Sequence, residues 1–203
     1  MIFSELLESM INLVFFLLIP FLCWLLVKRK EVSFFQWLGL KKPIVGNKKK
    51  FWLIFIIAIL LYTPISLALD IILPNTVQLT SQRFFHRGIE VIFPILIFSF
   101  IKTGLSEEIF FRGFLGKNLI KKFGFGFGNL IQSLIFGLLH GVSLYANFGT
   151  IISISIVLFT GAFAWLAGYI NEKCSEGSII PSWCLHGIAN TIACLSDAFQ
   201  IVR

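Results

Sequence analysis

Charge is what this sequence lacks. Only 13% of its 203 residues are Asp, Glu, Lys or Arg, against about 25% in an ordinary soluble domain. Hydrophobic residues make up 57% and the mean hydropathy is +0.90. Twenty-four Phe and five Trp are more than a water-soluble core of this size could hide. A soluble enzyme, a disordered regulator and a secreted disulfide scaffold are therefore excluded. The four cysteines, Cys23, Cys174, Cys184 and Cys194, include no Cys-x-x-Cys pair. Most sit in apolar runs, which fits structural membrane cysteines rather than redox or metal work. No internal repeat is visible. A phosphate loop is missing too, because Gly124-Phe125-Gly126-Phe127-Gly128 has neither the preceding strand nor the Lys such a loop needs; it reads as a tight turn. The N-terminus carries Glu5 and Glu8 where a cleaved signal peptide would be basic.

What remains is an all-α, polytopic transmembrane helical bundle. It forms a single domain over residues 1–203, with N-terminal helices and a basic loop over 1–88 and a catalytic helical core over 89–203. A helix needs about 20 apolar residues to cross the hydrocarbon layer. Met10 to Val27, Phe51 to Leu69, Val91 to Ile101 and Gly177 to Ser196 meet or approach that requirement. Phe123 to Asn171 contains no Asp, Glu, Lys or Arg and suits two spans with a turn near Ser143–Gly149. The apolar stretch from Lys102 to Phe123 reads as one more span, entered after a reversal near Gly104. The expectation is about seven helices. Pro20, Pro64 and Pro94 fall within apolar runs, which membrane helices tolerate.

The net charge of +7 does not point to nucleic acid, because the basic residues cluster beside apolar runs. Such clusters meet lipid headgroups and set topology. Eight Lys and Arg lie between Lys28 and Lys50, which makes that loop cytoplasmic. With seven spans, the N-terminus is outside and Arg203 inside. The outer side then receives Arg83, Arg87, Lys117, Lys121, Lys122 and Lys173. Ser33 to Leu38 is suited to lying flat at the interface.

An ionisable side chain at mid-bilayer costs roughly 2.5–3.5 kcal/mol on insertion scales, so those inside the spans are informative. They are Glu107, Glu108, Arg112, His140 and His186, with Asn190 beside them. The third histidine, His86, falls in a loop with Arg83 and Arg87. Glu108 and Arg112 share a helix face four residues apart, and pairing makes their burial tolerable. Glu107 is turned about 100° away, free to face a cavity. His186 and Asn190 are also four apart and face one neighbour. With seven spans, every group converges in the cytoplasmic half. One carboxylate, two imidazoles and an amide suit water activation. Glu107 is the candidate general base. His140 shares the water and passes the proton to the leaving amine. His186 and Asn190 donate to the developing oxyanion. Together they describe peptide-bond hydrolysis within the membrane.

Three motifs carry a resemblance. Glu107-Glu108-Ile109-Phe110-Phe111-Arg112, Phe136 to His140, and His186 to Asn190 resemble, in order, the Glu-Glu-x-x-x-Arg, Phe-x-x-x-His and His-x-x-x-Asn signature of the CPBP (Abi) family. These are the CAAX-protease and bacteriocin-processing membrane endopeptidases. Gly113 and the run Gly177 to Pro181 match as well, and the resemblance covers roughly residues 95–200. It implies an intramembrane endopeptidase in which Glu107 and His140 activate water, Glu108 and Arg112 support the site, and His186 and Asn190 form the oxyanion side. Family members are often labelled metalloproteases, and Glu107, His140 and His186 are the ligands if zinc or another divalent metal is bound. No His-Glu-x-x-His pair is present, which favours a glutamate mechanism without a cofactor. The expected substrate is a hydrophobic or membrane-attached peptide or protein, at a bacterial cell membrane. Two other classes compete: a non-proteolytic immunity or binding protein, and a small transporter. The transporter is disfavoured by the absence of an inverted repeat.

Overall fold

The computed structural model describes residues 1–72, 83–85 and 87–201, the stretch 64–72 by its backbone alone. His86 and Arg203 therefore lie outside the described residues. Among the described residues there is no strand. The helices are α1 (Ile2–Val27), a short α2 (Phe34–Leu38), α3 (Lys48–Ile72), α4 (Gly88–Phe123), α5 (Phe125–Cys174) and α6 (Ile180–Phe199). Three of them, α1, α4 and α5, are long and apolar enough to cross a membrane. On α1, Phe3, Leu7, Val14, Phe15 and Leu18 are exposed, as expected of a helix that meets lipid rather than water.

One expectation is overturned. The spans expected over Val91 to Ile101 and Lys102 to Phe123 are a single helix, and the chain does not reverse near Gly104. Gly104 instead lies where α4 packs on α6: a Cβ there would lie 2.5 Å from the Ser99 carbonyl oxygen of α4 itself and in ordinary contact, 3.6 Å, with the Gly187 nitrogen of α6. Gly187 in turn faces the Phe100 ring, leaving no room for a side chain. Within α4 the stretches Phe98–Leu105 and Glu108–Gly116 are π-helical. Such widened turns recur at functional sites. With 36 residues the helix is longer than the ~30 Å hydrocarbon layer requires.

The long uncharged segment folds back at Gly149, whose φ of 68° and ψ of −174° break the helix. The arms 125–148 and 150–174 pack antiparallel. Asn129 donates to the Trp165 carbonyl at 3.0 Å. A Cβ on Gly137 would collide with the Val157 carbonyl, and one on Gly141 would lie 2.7 Å from that of Ser153. Small residues at such a seam let helices meet backbone to backbone, which is how membrane helices gain packing energy. The expected two-span reading of this segment corresponds to these two arms.

Because α4 does not reverse, the ends of the bundle regroup. Lys117 Nζ contacts Glu172 at 3.0 Å and the Gly177 carbonyl at 2.6 Å. The Ile179 N–H donates to the Gly39 carbonyl at 2.9 Å, and Ser178 Oγ to the Lys41 carbonyl at 2.6 Å. Gly39 takes φ 83°, and a Cβ there would strike the Gly177 carbonyl, so the basic loop can dock only through a glycine. Lys173 stacks over Phe125 and Lys50 over Tyr169. Lys117, Lys121, Lys122 and Lys173 therefore share an end with the basic loop, which corrects their expected placement on the opposite side. Twelve of the seventeen Lys and Arg lie at this end. The end of α6, at Phe199, lies at the other, which corrects the expected return of the C-terminal helix to the loop side. The segment Phe34–Leu38 is anchored to the bundle at its end, while Phe35 stays exposed. Leu38 is fully buried and packs with Ile109 and Ile179.

At the far end, an unexpected polar cluster joins α1 to α4. Glu5 is buried and pairs with Arg83 at 3.1 Å and Lys102 at 3.6 Å. Glu8 contacts the same two cations. Asn12 donates to the Lys102 carbonyl at 2.5 Å. Lys102 was expected at a span boundary; here it lies within α4 and is neutralised by α1.

Candidate active site

Antiparallel α4 and α6 bring the first and third motifs together. Glu108 is fully buried. One of its carboxylate oxygens, Oε1, lies 3.0 Å from Arg112 Nη1, one turn along α4, as an ion pair without hydrogen-bond geometry, and accepts from His186 Nδ1 at 3.1 Å across to α6. The other, Oε2, accepts from the Ser182 hydroxyl. Ser182 also receives the Asn171 amide at 2.7 Å. Two buried ions are tolerable only when paired and hydrogen-bonded, and this network meets that condition for Glu108. The Arg112 guanidinium also lies over the Phe136 ring at 4.2 Å, a cation–π contact with the second motif.

The Glu108 contact fixes His186. A carboxylate can only accept, so Nδ1 carries the proton. The opposite nitrogen, Nε2, faces Glu107 Oε2 at 3.8 Å. That Glu107 oxygen is buried and has no hydrogen-bond partner, although the Glu107 side chain keeps 19% exposure. Glu107 is thus the carboxylate that the surrounding protein leaves uncommitted, while its neighbour Glu108 is spent on structure.

His140 stands apart from this pair. Its Nδ1 donates to the Phe136 carbonyl at 2.8 Å, and its ring stacks 4.4 Å from that of Phe136. Phe136 also meets His186 edge-on at 6.1 Å. With Nδ1 turned to that carbonyl, Nε2 is the His140 nitrogen left for a ligand, with Phe136 as the spacer between the two imidazoles. The structure joins Glu107 to His186, and links His140 to the others through Phe136.

Asn190 lies one turn beyond His186 on α6. Its amide donates to Thr103 Oγ1 at 2.9 Å, and its oxygen accepts from the Tyr62 hydroxyl at 3.3 Å. Ser182, Asn171, Thr103 and Tyr62 escaped the sequence reading. Ser182 had a signal, being four residues before His186 on the same face. Thr103 had one too, four residues before Glu107. Tyr62, on α3, had none.

Among the described residues, no three His, Cys, Asp or Glu side chains come together as an ion-binding group. Of Glu107, His140 and His186, Glu107 and His186 face each other at 3.8 Å.

Neither the curated proteins nor the solved structures include a match to this chain. Residues 89–192, over half of the chain, match the family described as type II CAAX prenyl endopeptidase Rce1-like. The match begins at the start of α4 and ends just past Asn190, so it contains all three motifs and the α4–α6 network. A membrane-embedded helical protein with this match belongs to the Rce1-like CAAX protease family of membrane endopeptidases.

Proposed function

We propose that the chain hydrolyses a peptide bond in a hydrophobic or membrane-attached peptide, using water activated by Glu107. The observation that carries this reading is the buried, unpartnered Glu107 oxygen facing His186 at 3.8 Å. A carboxylate oxygen left without a partner there is placed to accept a proton from a bound water. The water oxygen attacks the carbonyl carbon and its proton passes to Glu107. The carbonyl oxygen takes up the negative charge beside the Asn190 amide, and His186 adds a donor there only as the imidazolium, with Nε2 protonated as well as Nδ1. Collapse breaks the C–N bond, and the amine leaves with the proton that Glu107 took from water, passed back directly or relayed through His140 Nε2. Glu108 and Arg112 hold His186 and Phe136 in place throughout. No step is routed through a metal.

The basic end of the bundle supports one orientation. Lys and Arg favour the cytoplasmic side, so the end bearing twelve of them faces the cytoplasm. Arg112 lies five residues before Lys117, and His186 six after Ile180. The Glu108–His186 network therefore sits in the cytoplasmic half, open to peptides made or anchored there. A bacterial cell membrane suits the chain, as do immunity, peptide maturation and phage defence as settings.

The test compares new peptide termini in membranes and medium from cells making the wild type or Glu107→Gln, matched for expression. Termini lost in Glu107→Gln support the reading and supply substrates for purified cleavage. A wild-type phenotype that persists in Glu107→Gln with no altered terminus would refute it in favour of a non-proteolytic binding protein.

A further inference from the structure

Asn190 is held from two sides, by residues on two different helices. Thr103 Oγ1 lies 3.0 Å from the Phe98 carbonyl and 3.3 Å from that of Ser99. Carbonyls only accept, so the single hydroxyl proton of Thr103 is committed to the backbone of the π-helical stretch. Its oxygen can then only accept from Asn190 Nδ2, at 2.9 Å. This sets the amide with nitrogen toward α4 and oxygen toward α3, where the Tyr62 hydroxyl donates to it at 3.3 Å. One N–H of the Asn190 amide is thereby used and the other is left for a ligand. Thr103 and Asn190 lie one turn along α4 and α6 from Glu107 and His186, so the fixed amide borders the same site. The widened turn is held in register by α6 itself, because Trp183 Nε1 donates to the Phe100 carbonyl at 2.6 Å.

We propose that Thr103 and Tyr62 are positioning residues that lock the Asn190 amide with one N–H presented to the reacting carbonyl. The site then extends beyond the segment that matches the family, because Tyr62 comes from α3, ahead of residues 89–192. A donor oriented in advance needs no reorganisation when charge develops, which is where electrostatic catalysis gains most. Tyr62 adds to this by polarising the amide through its oxygen. The inference rests on the protease reading for its consequence, but not for its geometry.

The experiment uses the full chain in liposomes with a fluorogenic farnesylated peptide ending in a CAAX sequence, and any peptide found through Glu107→Gln-dependent termini. Thr103→Val and Tyr62→Phe are each expected to lower kcat about tenfold with KM within about twofold. Thr103→Ser should restore most of the loss. Either variant combined with Asn190→Ala should be no slower than Asn190→Ala alone. Changes confined to KM, or kcat losses that multiply with that of Asn190→Ala, would overturn the proposal. Thermal unfolding of Tyr62→Phe, Asn190→Ala and the double variant tests the contact without turnover. Fully additive Tm shifts would remove the contact, and the proposal with it, even if proteolysis stands. If the wild type cleaves nothing and no terminus depends on Glu107, the protease reading fails and the catalytic role falls with it, whatever the Tm cycle gives.

Discussion

His186 is suspended between two carboxylates: its Nδ1 is 3.1 Å from Glu108 and its Nε2 is 3.8 Å from Glu107. The two glutamates are adjacent in sequence, yet their environments separate their roles. Glu108 is matched by Arg112, Ser182 and His186. Glu107 has an exposed edge and an unpartnered oxygen. The same substitution at each should therefore give opposite signatures. Glu107→Gln should lower kcat by about 10²-fold or more, the range of a lost general base, while leaving the unfolding midpoint near that of the wild type. Glu108→Gln should lower the midpoint. Thermal unfolding in detergent beside a cleavage assay reads both, and a Glu107→Gln protein that unfolds early would contradict the assignment.

The ion pair Glu108–Arg112 offers a sharper energetic test. Neutralising Glu108 alone leaves the Arg112 charge buried, and breaking a buried pair in this way costs roughly 3–5 kcal/mol. Removing both charges costs less, because no uncompensated ion remains. Glu108→Gln/Arg112→Met should therefore be more stable than Glu108→Gln. The comparison is made by denaturant titration of the purified variants. A double variant less stable than either single one would show that the pair contributes net stability of its own.

The hairpin in α5 depends on glycines rather than on charge. Gly137 faces the Val157 carbonyl so closely that any Cβ must push the arms apart. Overpacking of this kind costs about 1–3 kcal/mol. The displacement would also move Phe136, which carries both the Arg112 stacking contact and the His140 hydrogen bond. Gly137→Val should thus reduce both stability and cleavage. Gly126, with nothing within 4 Å of a Cβ, should tolerate Ala with neither affected. Equal behaviour of the two variants would argue against the seam.

Much of this site was legible in the sequence because membrane burial makes polar residues expensive. Glu108 and Arg112 at helical spacing indicate a pair, and His186 and Asn190 at the same spacing indicate a shared face. The partner assignments were not legible. Which imidazole meets Glu107 depends on the relative rotation of α4, α5 and α6, and hydropathy carries no record of that rotation. The reversal expected near Gly104 came from Lys102, whose charge resembles a span boundary. Its compensation by Glu5 and Glu8 spans roughly a hundred residues of sequence and leaves no local pattern. Tyr62 on α3 was hidden for the same reason, since an aromatic in an apolar run gives no hint that its hydroxyl is used.

The continuous α4 changes the predicted topology in a way that labelling can decide. With a reversal at Gly104, the basic residues after Lys117 would face away from the basic loop. Without one they join it, and the inside-positive contrast becomes strong. Gly46 lies in the loop with open space around it, and Asn147 is exposed beside the Gly149 break at the opposite end. Gly46→Cys and Asn147→Cys can each be treated in intact cells with a membrane-impermeant maleimide, against the background of the four native cysteines. Asn147→Cys should label in intact cells, and Gly46→Cys only after the membrane is opened. Labelling of both from the same side would break the single-helix reading of α4, and the reverse pattern would turn the site toward the outside. Only the expected pattern leaves the Glu107–His186 pair facing the compartment in which membrane-anchored peptides are made.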